Sequence, residues 1–312
     1  MQIFRKLDDV PAGFGPTIVS VGNFDGVHLA HQLVLGKMAE RARETGAKAL
    51  AVTFEPHPTR ILRPDVAPKL LTPLPLKLKL LEASGLDAVL VMPFTRDLSL
   101  LSPRDFAEQV LSRRLKAREV HEGANFHFGH QAEGNVGRLA EFGGELGFEV
   151  RVYPELRVRG DAVSSSRIRE LVAAGRVSRV RHLLGRLFAI TATAGRGRGY
   201  GQKYTVPTIN LSRYDEMVPG NGVYITSTRV GSEHFDSVTN VGTRPTFAES
   251  FAIETHLLNF HPIEVTAETE VEISFRRWLR PEVKFPSVEA LRDQIARDVH
   301  RARRYFHLAP PR

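Results

Sequence analysis

The sequence predicts two folds in series, α/β and then β: an N-terminal doubly wound parallel sheet, then an antiparallel β-barrel followed by a helix. Three observations carry this. Apolar runs of strand length alternate with helical periodicity through the first half. From Leu187 onward the period drops to two, with Gly, Pro and Asn turns between strand-like runs. At 312 residues the chain is long enough for two cores. The expected domains are residues 1–184 and 185–312.

The first strand is the β-branched run from Pro16 to Val21, and Leu33, Val34, Met38 and Ala42 at helical spacing place a helix after it, starting near His28. The turn between them, Gly22-Asn23-Phe24-Asp25-Gly26-Val27-His28, puts free backbone N–H groups and a helix dipole above the strand end, a place for an anion. His28 and His31 stand at i and i+3 on one helix face, where two imidazoles suit a triphosphate. The competing explanation is that they cap or pack.

Lys48 to Phe54 is the second strand, stopped by Glu55-Pro56-His57-Pro58. Ligands of open α/β sheets lie beyond the carboxyl ends of strands, so Phe54 with the two prolines forms either an apolar wall there or a simple turn. A helix over Leu76 to Glu82, a strand over Ala88 to Met92 and a helix over Pro103 to Leu115, capped by Ser102, follow. Gly123 to Gly129, carrying Asn125, Phe126 and Phe128, is a candidate ring-binding loop, and Val150 to Tyr153 a further strand. Ser164, Ser165 and Ser166 open a helix over Ser166 to Ala174, and with Arg167 and Arg169 they suit a second phosphate clamp or an ordinary cap. A second helix runs from Val177 to Leu184.

In the second half, Phe188–Ala192, Gly222–Val230, Phe251–Leu258 and Glu268–Trp278 are strand-like. Gly195 to Gly201 is a glycine-rich basic stretch able to approach phosphates, or an RNA-binding Arg-Gly segment. Thr208 and Asn210, behind Pro207, offer a hydroxyl and an amide for Mg²⁺ and phosphate. Glu254 lies in an apolar strand: solvent-facing by default, a general-base candidate if it faces a cleft. Leu291, Ile295, Val299, Ala302 and Phe306 mark the buried stripe of the last helix, Ser287 to about Phe306.

The chain has no cysteine, which excludes disulfides, Cys-ligated metals and a thiol nucleophile. Met1 to Val10 has no apolar core of a signal peptide, and no apolar run is long enough to span a bilayer, so a cytoplasmic protein is expected. The net charge of +8 is scattered, and its densest cluster, Arg301, Arg303 and Arg304, lies on the amphipathic last helix. A solvated helix face accounts for that cluster, and small phosphorylated substrates also suit a basic chain.

No Walker A or G-x-G-x-x-G motif follows a strand. Instead, Gly22 to His28 with His31-Gln32, Thr53 to Pro58, Asn125-Phe126 with Phe128-Gly129, and Ser164 to Arg169 occur in order, followed by Gly197-Arg198-Gly199, Pro207 to Leu211, Gly222-Val223-Tyr224, Asn240 to Phe247, Glu254 to Leu258 and Lys284-Phe285. With these motifs the chain resembles the bacterial bifunctional riboflavin kinase/FAD synthetase family over nearly its whole length. The resemblance implies a nucleotidyltransferase domain and a six-stranded kinase barrel, turning riboflavin into FMN and FMN into FAD with ATP and Mg²⁺.

The resemblance implies that His28, His31 and Arg167 neutralise phosphates at the first site, with Gly22, Asn23, Phe24, Asp25, Ser165 and Ser166 around the ATP. Phe54, Pro56, His57, Pro58, Asn125 and Phe128 would hold the flavin. At the second site Gly197, Arg198 and Gly199 would cradle ATP, Thr208 and Asn210 would hold the metal, and a buried Glu254 would be the base. The expected partners are small molecules, not nucleic acid or membrane, and the expected state is a monomer or weak homo-oligomer. Ala30 replaces a family glycine, Thr205 another, and His121-Glu122 an apolar pair. Two alternatives stay open: a kinase with a weak or inactive adenylyltransferase, and a basic nucleic-acid-binding protein on the same scaffold.

Overall fold

The computed structural model describes residues 1–195, 208–243, 251–261, 263 and 265–308. The chain forms two compact units, Met1–Ser165 and Ser166–Arg312.

The first unit is a parallel sheet of six strands: β1 (Gln2–Phe4), β2 (Thr17–Val21), β3 (Lys48–Glu55), β4 (Ala88–Pro93), β5 (Ala117–Gly123) and β6 (Glu149–Tyr153). The strand order is β1-β4-β3-β2-β5-β6, so the direction of winding reverses beside β2. Helix α1 (Leu29–Thr45) covers one face, packing Leu35, Met38, Ala39 and Ala42 on Ile18, Ala49 and Ala51. The other face buries Val19, Val21, Leu50, Val52 and Leu90 against Phe106, Val110, Leu111 and Leu139. Helices α2 (Leu74–Glu82) and α3 (Val136–Leu146) complete the layers.

β5 is not among the strands expected from the pattern, because Arg118, Glu119, His121 and Glu122 give it loop-like polarity. Its Glu119 is paired across the fold. Buried Glu119 accepts from Arg41 of α1 at 2.8 Å, Arg151 of β6 at 2.7 Å and His121 at 3.1 Å. Burial alone would push that carboxyl up, but these three donors outweigh it and hold it at about 2. Ser102 caps Pro103–Asp105 as expected, but the rest of that segment, Phe106–Arg114, winds as a π-helix.

The second unit begins one residue into α4 (Ser165–Ala173) and continues through α5 (Val177–Leu184), both of which the sequence pattern places in the first domain. They group with the barrel because they bond to it: Gly220 N–H donates to Val172 at 3.0 Å and the Ser178 hydroxyl to Arg276 at 3.3 Å. The barrel strands are β7 (Phe188–Gly195), β8 (Thr208–Leu211), β9 (Gly222–Val230), β10 (Glu233–Thr243), β11 (Phe251–Leu257) and β12 (Glu270–Arg280). They close in the order β7-β8-β11-β10-β9-β12. Inside lie Tyr224, Ile273 and Phe275 together with a ring of buried hydroxyls: Thr226, Ser237, Thr228, Thr255 and Thr239, bonded in sequence at 2.7–3.1 Å. Five hydroxyls share five bonds, so each can donate once and accept once, leaving none unmet in the core.

Helix α6 (Val288–Leu308) packs Val299, Ala302 and Phe306 on Val223, Ile225 and Val238. The stripe expected along its whole length is buried only in that half: Leu291 and Ile295 are each 40 % exposed.

Candidate active sites

The loop after β2 is the best-anchored feature of the first unit. Phe24, Gly26 and Val27 have φ of 45°, 87° and 36°, left-handed values that cost bulky residues and persist only where neighbours impose them. Asp25 imposes them. It is 1 % exposed, and its carboxylate accepts from the backbone N–H of Leu71 and of Thr72 at 3.0 Å and from the Thr72 hydroxyl at 3.2 Å. Gly26 N–H donates to that same hydroxyl at 2.9 Å. This corrects the role expected for Asp25: it faces into the protein and fixes the loop. Ser165 reinforces it, donating its hydroxyl to the Asp25 carbonyl at 2.8 Å.

His28 is the N-cap of α1, its Nδ1 accepting from His31 N–H at 3.4 Å. The two imidazoles stack with centroids 3.6 Å apart, and the Phe24 ring stands edge-on to His31 at 5.2 Å. The pair is therefore both a cap and a cluster facing the loop. His31 Nδ1 is buried and has no partner among the described residues. Burial first, then the neighbouring His28 and Lys77, push the His31 pKa well below its ordinary value, so the ring is neutral at pH 7. A neutral, pre-placed imidazole can donate to a phosphoryl oxygen without prior loss of a proton. Gly22 and Asn23 bring the chain off β2, with Gly22 N–H bonded to Val52 at 2.9 Å and the Asn23 carbonyl accepting from the Thr53 hydroxyl at 3.2 Å. Lys77, which the sequence pattern passed over as one polar residue of a helix, reaches that hydroxyl at 3.5 Å.

At the carboxyl end of β3, half-buried Phe54 packs edge-on against Phe94 at 5.6 Å, with Pro56 and Pro58 following it. His57 caps the short helix Pro58–Leu62, accepting from Thr59 N–H at 3.3 Å, so its imidazole is structural. Beyond β5, Asn125 is exposed. Phe128, expected as a flavin contact, is 7 % exposed and belongs to the core, packed on Phe106 and stacked under Phe126 at 5.4 Å. Phe126 is the ring with accessible surface there.

Ser166 and Arg167 fall in the second unit, in the first turn of α4, where Arg167 donates to Glu170 at 2.8 Å. In the barrel, register brings three candidates together. Asn210 of β8 and Asn240 of β10 both pair with Glu254 of β11, and Thr208 lies one pleat along beside His256. These side chains point outward, since the intervening Thr255 points into the hydroxyl ring. Glu254 is therefore exposed, not buried as expected, and stands between two amides. Gly197, Arg198 and Gly199 lie outside the described residues, as do Thr205, Pro207 and 244–250. Among the described residues no cluster of three His, Asp or Glu could hold a metal, and no helix is long and apolar enough to cross a membrane.

Two family models match: FAD synthetase over residues 12–167 and riboflavin kinase over residues 184–306. The chain is 33 % identical over 305 residues to a bifunctional riboflavin kinase/FMN adenylyltransferase of Pseudomonas fluorescens, covering 97 % of each. It is 32 % identical to the protein of that name from Escherichia coli K12, covering 94 % of each. A crystal structure titled macrolide-efflux protein, from Streptococcus pneumoniae, has the same fold: TM-score 0.87 at 22 % identity, over 96 % of this chain and 98 % of that one.

Proposed function

The chain belongs to the family of bifunctional riboflavin kinase/FMN adenylyltransferases, and on that premise we propose which of its residues carry each reaction. The family's two reactions are phosphorylation of riboflavin by ATP to FMN, and adenylylation of FMN by a second ATP to FAD and pyrophosphate. Both are in-line displacements at phosphorus, which need positioning and charge neutralisation more than a covalent nucleophile.

In the kinase reaction the nucleophile is a neutral ribityl hydroxyl, so a base must take its proton. Glu254 is that base, and the observation that carries the assignment is the register that sets it opposite Asn210 and Asn240 on one barrel face. Its proton acceptance lets the hydroxyl oxygen attack the γ-phosphorus while ADP leaves. The hydroxyl of Thr208 and the side-chain carbonyl of Asn210 are hard oxygen donors of the kind Mg²⁺ prefers, and would hold one. Such an ion shields the phosphate charge. Gly197, Arg198 and Gly199 cradle the ATP in this reading.

In the adenylylation the FMN phosphate is already an anion and needs no base. Its oxygen attacks the α-phosphorus, the bond to the β-phosphate oxygen breaks, and pyrophosphate leaves. The N-terminal turn of α1, with the positive end of its dipole and with His28 and His31, receives the phosphoryl oxygens. Ser165, Ser166 and Arg167 are phosphate-binding candidates from their sequence motif. Phe54, Pro56, Pro58, Asn125 and Phe126 form the flavin seat.

The reading also makes the enzyme a cytoplasmic monomer or weak homo-oligomer, acting on small molecules and not on nucleic acid or membranes. Incubating the pure chain with riboflavin, MgCl₂ and ATP tests it: FAD is expected, FMN alone would mean an inactive adenylyltransferase, and no flavin product would overturn the proposal.

A further inference from the structure

Lys77 is a buried charge that no described carboxylate pairs. It lies in α2, soon after the Leu71–Thr72 segment that holds Asp25, and it is 2 % exposed. An ammonium removed from water needs a carboxylate or a full set of acceptors. Lys77 has three donors and, among the described residues, makes one hydrogen bond, a long one of 3.5 Å to the Thr53 hydroxyl. No ion pair joins it to a described carboxylate. Asp25 and Glu55 favour its charge from a distance, but burial outweighs them and lowers its pKa. Asp25 is already saturated by Leu71 and Thr72.

The surroundings define what is missing. The hydroxyl that Lys77 reaches donates to the carbonyl of Asn23, in the loop of the first site. Lys77 is close enough to His31 to depress its pKa, and His31 Nδ1 is itself buried and unpartnered. So a spare ammonium, a spare imidazole nitrogen and the amides of an N-terminal helix turn lie around one loop whose only acidic side chain, Asp25, points away. An anion completes this set.

We propose that Lys77 is a further phosphate-binding residue of the adenylyltransferase site: its ammonium, held beside the loop by Thr53, takes an oxygen of the nucleotide polyphosphate. When the α-phosphorus–oxygen bond breaks, the departing pyrophosphate gains a negative charge on the former bridging oxygen. Lys77 neutralises that charge without any proton transfer. The inference rests on reading this loop as the nucleotidyl-transfer site.

Lys77→Met, nearly isosteric and uncharged, tests it in the full-length chain, with Lys77→Arg as the charge-retaining control. The Met variant should melt no lower than the parent, because it removes an uncompensated buried charge. Pyrophosphate should raise the melting temperature of the parent but not of the Met variant. FMN-to-FAD conversion should fall about tenfold or more, chiefly through KM for ATP, with Lys77→Arg recovering part of the loss. A loss confined to KM for FMN would assign the ammonium to the flavin phosphate and overturn the proposal. A Met variant that melts lower yet keeps both KM values would make Lys77 structural, and also overturn it. If the parent itself makes no FAD, the reading of the site fails; if the parent does and Lys77→Met matches it, only the role of Lys77 fails.

Discussion

The two units place their polar residues by opposite means. In the first, a loop with left-handed Phe24 and Val27 is pinned from below by a buried carboxylate, and the imidazoles above it are desolvated. In the barrel, Thr208, Asn210, Asn240 and Glu254 stand on the outer face of regular strands, set only by ladder register. The difference follows the chemistry. Adenylylation starts from an anion, so that site needs a rigid cradle for phosphates. Riboflavin phosphorylation starts from a neutral alcohol, so that site needs a proton acceptor on the face that meets the substrate. The lesson is that the first site should fail when buried anchors are removed, and the second when one surface side chain is changed or the register slips.

The largest effect should come from the loop anchor. Asp25→Ala leaves Leu71 and Thr72 N–H without their acceptor and should cost about 4 kcal/mol of stability with loss of FAD formation. Urea unfolding and an FMN-to-FAD assay check this; a stable, active variant would remove burial as the organising device. Next, His31→Ala should slow adenylylation about 10²–10³-fold, as removal of a transition-state donor does, with FMN formation as the internal control. Thr239→Val breaks two links of the barrel's hydroxyl ring, to Thr226 and Thr255, and should cost about 2 kcal/mol, read as a lower thermal midpoint.

A smaller effect is pH-dependent. The His31 pKa is lowered in the folded protein, so the unfolded chain binds protons more readily below pH 6.5, and stability must fall as pH falls through that value. The slope from one group is at most about 1.4 kcal/mol per pH unit. His31→Asn should flatten this acid limb in melts from pH 7 to 5; an unchanged limb would mean His31 is not held neutral. Smallest of all, Ala30→Gly in the first turn of α1 should cost no more than about 1 kcal/mol and leave FAD formation intact. A collapse of activity would show a loop geometry that depends on the methyl group.

The first site was the more legible in sequence, because its strand, loop and helix are contiguous and its glycines, cap and histidine spacing are local signals. What sequence could not supply were long-range partners. β5 reads as a polar loop because Arg41 and Arg151, which neutralise Glu119, are remote in the chain. Lys77 reads as one polar residue of a helix, because its burial beside Thr53 of β3 involves a partner remote in the chain. Phe128 reads as a ligand contact, but the fold buries it under Phe126, which keeps the more open ring. Of the six barrel strands, β8 and β10 are not among those read from the pattern; in β10, Ser237 and Thr239 turn hydroxyls inward, where Thr226, Thr228 and Thr255 of neighbouring strands satisfy them.

The independence of the two sites is the central claim, and Glu254→Gln tests it most directly. The variant should be assayed for flavin products twice, once supplied with riboflavin and once with FMN, each with ATP and Mg²⁺. Conversion of riboflavin should fall by about 10²–10⁴-fold, the contribution of a general base, while FMN is adenylylated at the parent rate. Equal loss in both assays, or normal phosphorylation of riboflavin, would contradict it.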